Sequence, residues 1–219
     1  MTQTKNNKKK ISLLGSIATI SLLGTLALTA CQSSTEKTTE GDASKPTTTE
    51  SKDATTENKD ASAENKLTAS WESYNAYDGS YTVSFPKKPA EKKDYLDTAL
   101  GKVFFSEASY TEGKKYYSTS HTTYPVDPKQ YDVQKGLDGS RDGISKSINM
   151  EIVREEKIEI DGFPAREVEM KGKDGSLLAH LIFDPNGPTL YQVFVVSGDG
   201  EATSPENKAF LDSFKLKRK

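Results

Sequence analysis

Few side chains in this sequence could do chemistry. Its 219 residues hold two histidines, His121 and His180, and one cysteine, Cys31. Those counts exclude zinc sites of several Cys or His, iron–sulfur clusters and intramolecular disulfides. A hydrolytic triad needs a nucleophile beside a base that an acid orients, and only the two imidazoles could be that base. His121 stands among Thr and Tyr in YYSTSHTTY, and His180 shares a face of SLLAHLIF with Leu178 and Ile182. Each reads as a hydrogen-bonded residue within a strand. Were both to face one cleft, they could hold a metal with an Asp, or serve an enzyme with nearby carboxylates. The run DGSRDG spaces Asp138 and Asp142 four apart. A calcium loop of EF-hand type wants acids or amides at positions one, three and five and Glu at twelve, whereas this chain has Ser140 at three and Asn149 at twelve. The two acids read better as decoration of a helix start, where the dipole favours them. Gly136, Gly139 and Gly143 lack the spacing and the following Lys-Ser/Thr of a phosphate-cradling loop. Glu155-Glu156, and Glu167 with Glu169, fit the outward faces of strands. No catalytic, cofactor or metal-ligating set emerges, and nothing basic or catalytic is arranged near the Cys31 thiol.

These residues need elements to position them, and only part of the chain can supply any. Apolar residues make up 33% of the sequence, too few for packing throughout. The first thirty residues carry four Lys and no acid, so the net charge of −2 for the whole becomes −6 for the rest. A mildly acidic body argues against nucleic-acid binding, which needs clustered Lys and Arg. Between Gln32 and Lys66 the only apolar residues are alanines, among Thr, Ser and charges of both signs. No core forms from that composition, and residues 31–66 read as a disordered tether. As a flexible coil it spans roughly 30 to 35 Å. From Leu67 apolar density rises, so residues 67–219 make one domain, large enough to fold without metal or disulfide.

Within that domain Trp71, Tyr74 and Tyr77, at spacing three, suggest one face of a short helix lying on a sheet. YTVSFP places Tyr81, Val83 and Phe85 on one side, and Pro86 ends it. GKVFFSEASY and KYYSTSHTTY form an antiparallel pair around Gly113. MEIVREEKIEI turns at Asp161-Gly162 into FPAREVEM. SLLAHLIF and LYQVFVVS are apolar on both faces, so they belong at the centre of a sheet covered on both sides. Leu137, Ile144 and Ile148 form a helical stripe in 134–150, with Arg141, Asp142 and Lys146 outward. Ser204 caps a second helix, with Pro205 at its first position and Phe210, Leu211 and Phe214 docking. Lys87, Lys88, Lys92 and Lys93, interleaved with Glu91 and Asp94, read as a solvated loop. Hairpins with inserted helices mean α+β, a largely antiparallel sheet covered by helices.

The N-terminus is an address. Lys5 and Lys8 to Lys10 precede an apolar run from Ile11 to Leu28, the layout of a secretory signal over residues 1–30. Leu28-Thr29-Ala30-Cys31 resembles the lipobox of bacterial lipoproteins. The resemblance implies cleavage before Cys31, a diacylglycerol on its thiol, and a second site of acylation on the new amino group. Each buried CH₂ contributes roughly 0.8 kcal/mol, so two or more chains hold the protein stably to a membrane. The location implied is extracytoplasmic: the outer face of the plasma membrane, or an outer membrane where one exists, which Gln32 after the lipidated Cys permits.

The order of motifs in the domain carries a second resemblance. Tyr77-Asp78-Gly79 leads into YTVSFP, then come a middle helix, paired strands, LYQVFVVSG and a last helix ending FLDSFKL. This is similar to the PsbP/Mog1-like superfamily of α/β/α sandwiches, over roughly Tyr77 to Leu216. Its members are mostly accessory or assembly proteins, so the resemblance implies a non-enzymatic module that binds a protein partner in the envelope. Phe85-Pro86-Lys87-Lys88-Pro89 departs from the photosynthetic members, which continue into Tyr-Pro and Gly-Trp. A photosystem-associated accessory role is thus the less favoured branch, and no functional residue transfers one by one.

Overall fold

A computed structural model describes residues 67–98, 101–198 and 200–217. The leader, Cys31 and the tether lie outside them. Two antiparallel sheets dominate. The larger contains β3 (Ala90–Thr98), β4 (Gly101–Glu112), β5 (Lys115–Thr123), β6 (Glu151–Ile160), β7 (Phe163–Gly172), β8 (Gly175–Asp184) and β9 (Thr189–Ser197), in the order β3-β4-β5-β9-β8-β7-β6. The smaller has β2 (Tyr81–Phe85) between β1 (Glu72–Asn75) and β10 (Lys215–Leu216). Helix α1 (Val133–Ile148) follows β5, and α2 (Pro205–Asp212) follows β9. The expectation of a mostly antiparallel sheet with covering helices holds.

The apolar pattern explains the layers. Every residue of β9 is buried, and β8 is buried but for its ends. Leu178, Ile182, Val193 and Val195 pack on one side with Phe210 and Leu211 of α2 and with Tyr81, Val83 and Phe85 of the small sheet. Leu177, Leu181, Phe183 and Phe194 pack on the other with Leu137 and Ile144 of α1. Each such side chain, fully buried, contributes about 1.5 to 3 kcal/mol. Ser204 caps α2 as the sequence suggests, its side chain accepting from Asn207 N. The Asp161-Gly162 turn has φ of 52° and 85°, the left-handed pair that a two-residue hairpin requires. Gly136 of α1 lies where the Tyr131 ring comes down, so a Cβ there would collide with it. Tyr131 in turn stacks on Phe183, with centroids 4.4 Å apart.

Several expectations need correction. Trp71, Tyr74 and Tyr77 do not form a helix face. Residues 72–75 pair with β2, Tyr74 opposite Val83, and the backbone ladder overrides the spacing of three. Trp71 and Tyr74 do pack on the core, while Tyr77 lies beyond the strand and is exposed. The lysine-rich stretch is not all loop: Lys92 and Lys93 lie in β3, an edge strand paired with β4 from Ala90 opposite Ser109 to Thr98 opposite Gly101. A charged strand suits an edge, because charge discourages pairing with another chain. Asp138 and Asp142 lie inside α1, not at its start, where Asp132 is the cap.

Arg141 does not point outward. It binds Glu155 of β6 at 2.6 Å, Asp142 at 2.8 Å and Asp138 at 3.3 Å. The cause is Arg166 of β7, a cation 4% exposed under α1. It pairs with Glu155, with Asp138 at 2.7 Å and with Gln134 at 3.1 Å. A buried cation demands carboxylates, and these in turn bring Arg141 down. Burial alone would raise the Glu155 carboxyl, but Arg166 and Arg141 hold it below the ordinary range.

Candidate functional site

An open cleft of about 780 Å³ lies at one end of the domain, where three turns gather. Asp78 comes from the β1–β2 turn, Asp161 from the β6–β7 turn and Asp184 from the end of β8; Phe163, Tyr191 and Lys217 are among the other residues that line it. The carboxylates hold their turns in shape. Asp78 Oδ1 accepts from Ser80 N at 3.0 Å and Ser80 Oγ at 2.7 Å. Asp161 Oδ2 accepts from Leu216 N at 2.8 Å, tying the hairpin to β10. Asp184 Oδ1 accepts from Asn186 N at 2.8 Å. Lys217 donates to Asn75 Oδ1 at 2.8 Å.

His121 sits behind this wall. It is 3% exposed, in a cage of rings: Tyr77 stacked at 5.8 Å, Tyr81 edge-on at 5.8 Å and Tyr191 at 5.9 Å. Its Nε2 lies 3.6 Å from Asp78 Oδ2, too far for a hydrogen bond, and its buried Nδ1 has no partner. Burial lowers the imidazole pKa and Asp78 pulls the other way; the net shift is downward. Burial thus favours the neutral ring over the charged one. The exposed face of Tyr77 carries the Lys93 ammonium, 4.4 Å from the ring centroid, a cation–π contact.

His180 occupies the same face of the large sheet but not the same place. Across β9, His121 is opposite Tyr191 while His180 is opposite Val193. A whole strand and a two-residue offset separate the imidazoles, so the sequence possibility of one shared metal cleft is not met. His180 Nε2 is 3.1 Å from Glu167 Oε2, and Glu167 also binds Arg154. His180 first, and then Arg154, outweigh burial and hold the Glu167 carboxyl down to about 2. The stability this lends is complete above about pH 4.5 and is lost as pH falls toward 2. Wild type should therefore be more stable than Glu167→Gln at pH 7, with the gap closing at pH 3, as read from urea midpoints.

Both imidazoles thus have carboxylate neighbours, not the backbone partners a purely structural His would take. Among the described residues no Ser, Thr or Cys side chain hydrogen-bonds to either ring, so the nucleophile of a triad is not assembled. Sequence reading missed the His121–Asp78 pair because 43 residues separate the partners. The Tyr-Asp-Gly turn was visible, but its destination beside β5 was not.

The cleft lies at the Thr123 end of β5, whereas Trp71, near the first described residue, packs on Tyr117. Six residues of strand, about 20 Å, separate the two. Residue 67 thus joins the domain at the end away from the cleft.

No family model matches the chain, and no curated protein matches it. Among solved structures, a protein of unknown function from Pseudomonas aeruginosa, PA94, aligns with 59% of this chain and 83% of its own. The identity is 12% and the TM-score 0.27, a likeness that carries no argument. Among the described residues no helix is long and apolar enough to cross a membrane.

Proposed function

We propose that this chain is a bacterial lipoprotein, held on the extracytoplasmic side of a membrane by acyl chains on Cys31. Its folded part is a PsbP/Mog1-like, non-enzymatic module that binds or helps assemble an envelope protein. One observation carries the reading: the open cleft faces away from the end at which the tether joins the domain. A leash of residues 31–66 then presents that cleft to partners above the lipid surface. The approach of buried His121 to Asp78 of the cleft wall favours a second reading, an enzyme or metal-dependent factor, for which no nucleophile stands beside the ring among the described residues.

Two measurements test the leading reading. Cys31→Ala should abolish acylation and leave the unprocessed precursor; a mature, soluble protein of unchanged mass in wild-type cells would refute the anchor. A photocrosslinker at Asn186 on the cleft rim should capture one protein stoichiometrically in native membranes, and one at Lys173 at the far end should not. Repeated capture of none at the rim would refute the docking role.

A further inference from the structure

We propose that His121, behind the wall of the cleft, and Asp78, on it, form an acid-operated latch, which deepens the reading of that cleft as the docking face. Three observations meet there. The imidazole is buried yet makes no hydrogen bond, its Nδ1 unpartnered and its Nε2 3.6 Å from the Asp78 carboxylate. Side chains this deeply buried ordinarily find partners, so the ring is held short of the one available to it. A charge-assisted N–H···O bond runs about 2.7 to 2.9 Å, so protonation would draw the carboxylate inward by about 0.8 Å. Asp78 cannot move alone. Its other oxygen is bound by Ser80 N and Oγ, and Ser80 O accepts from Lys217 N at 2.8 Å. Asp78, Ser80 and Lys217 all line the cleft. The β1–β2 turn and the end of β10 therefore shift together when the latch closes.

The surroundings leave Asp78 as the group that answers the proton. Tyr77 from the turn, Tyr81 from β2 and Tyr191 from β9 face the ring, and burial keeps each phenol protonated. Lys93 of β3 lies over Tyr77 and not against the imidazole. Ser106 is the β4 residue opposite His121 and carries no charge. Tyr77, stacked on the ring with planes 14° apart, gains attraction to an imidazolium and stays as the cover. Above the transition the latch is open and the ring neutral; below it the ring is charged and the turn drawn in.

The test is an NMR titration of the full chain in non-ionic detergent between pH 4 and 8. The His121 ring resonances and the amides of Gly79, Ser80 and Lys217 should share one midpoint. Asp78→Asn should lower the His121 midpoint by about one pH unit, a tenfold loss in proton affinity, and uncouple those amides. His180→Gln should leave the step in place. Amides that do not follow His121 in the wild type, or an unchanged midpoint in Asp78→Asn, would overturn the latch. The wild-type titration alone decides the matter should the variant fold poorly. Rim crosslinking at pH 7 is independent of it, so loss of the latch and loss of the docking role are separately visible.

Discussion

Phe210→Ala should destabilise the folded domain by about 3 to 5 kcal/mol, lowering the urea midpoint sharply. The ring is fully buried on α2, 5.1 Å from Phe85, 5.2 Å from Tyr117 and 6.4 Å from Trp71 by centroid. It touches Phe85 of the small sheet, Tyr117 of the large sheet and Trp71 of the N-terminal segment together. Truncation removes its transfer free energy and leaves a cavity whose walls belong to three elements, none free to collapse without moving the others. Against a typical total of about 5 to 15 kcal/mol the loss is severe. Tyr95→Ala is the control, since Tyr95 is 62% exposed; its effect should stay within about 0.5 kcal/mol. Equal effects from the two would refute this account of the core.

Arg166→Ala should cost a comparable 3 to 5 kcal/mol by a different route. Removing the guanidinium takes one of two cations from Glu155 of β6 and Asp138 of α1, leaving Arg141 to serve both. The cost is that of stranded charge more than of a lost bond. A second substitution that removes the charge should therefore recover much of it: Arg166→Met with Glu155→Leu should be more stable than Arg166→Met alone. Simple additivity in that double-mutant cycle would show that the network is not coupled.

How much of this was legible beforehand depended on what each residue answered to. Strands β2, β8 and β9 could be read because their apolar residues answer to burial, which alternation or its absence records directly. The α2 cap could be read because Ser204-Pro205 answers to local backbone geometry. Strand β3 could not, because an edge strand with solvent beside it is selected for charge and looks like loop. Trp71, Tyr74 and Tyr77 misled because a spacing of three is compatible with a helix, and only the ladder to β2, formed with a distant partner, breaks the tie. Arg141 misled for a related reason. Its inward turn is imposed by Arg166, twenty-five positions later, and by Glu155 on a neighbouring strand. Asp78 and Asp184 of the cleft answer to their own turns, whereas Asp161 is tied to Leu216 far along the chain, and their meeting at one end follows from the strand order.

The placement of Trp71 gives the molecule an intrinsic optical gauge. It is the single tryptophan in the sequence, packed near the first described residue against the rings of Tyr117 and Phe210. In chain order this indole precedes every strand of the two sheets. Its emission wavelength would redden as the Tyr117 end of the domain opens, while the cleft at the Thr123 end keeps its shape, so opening at that end could be followed without a label.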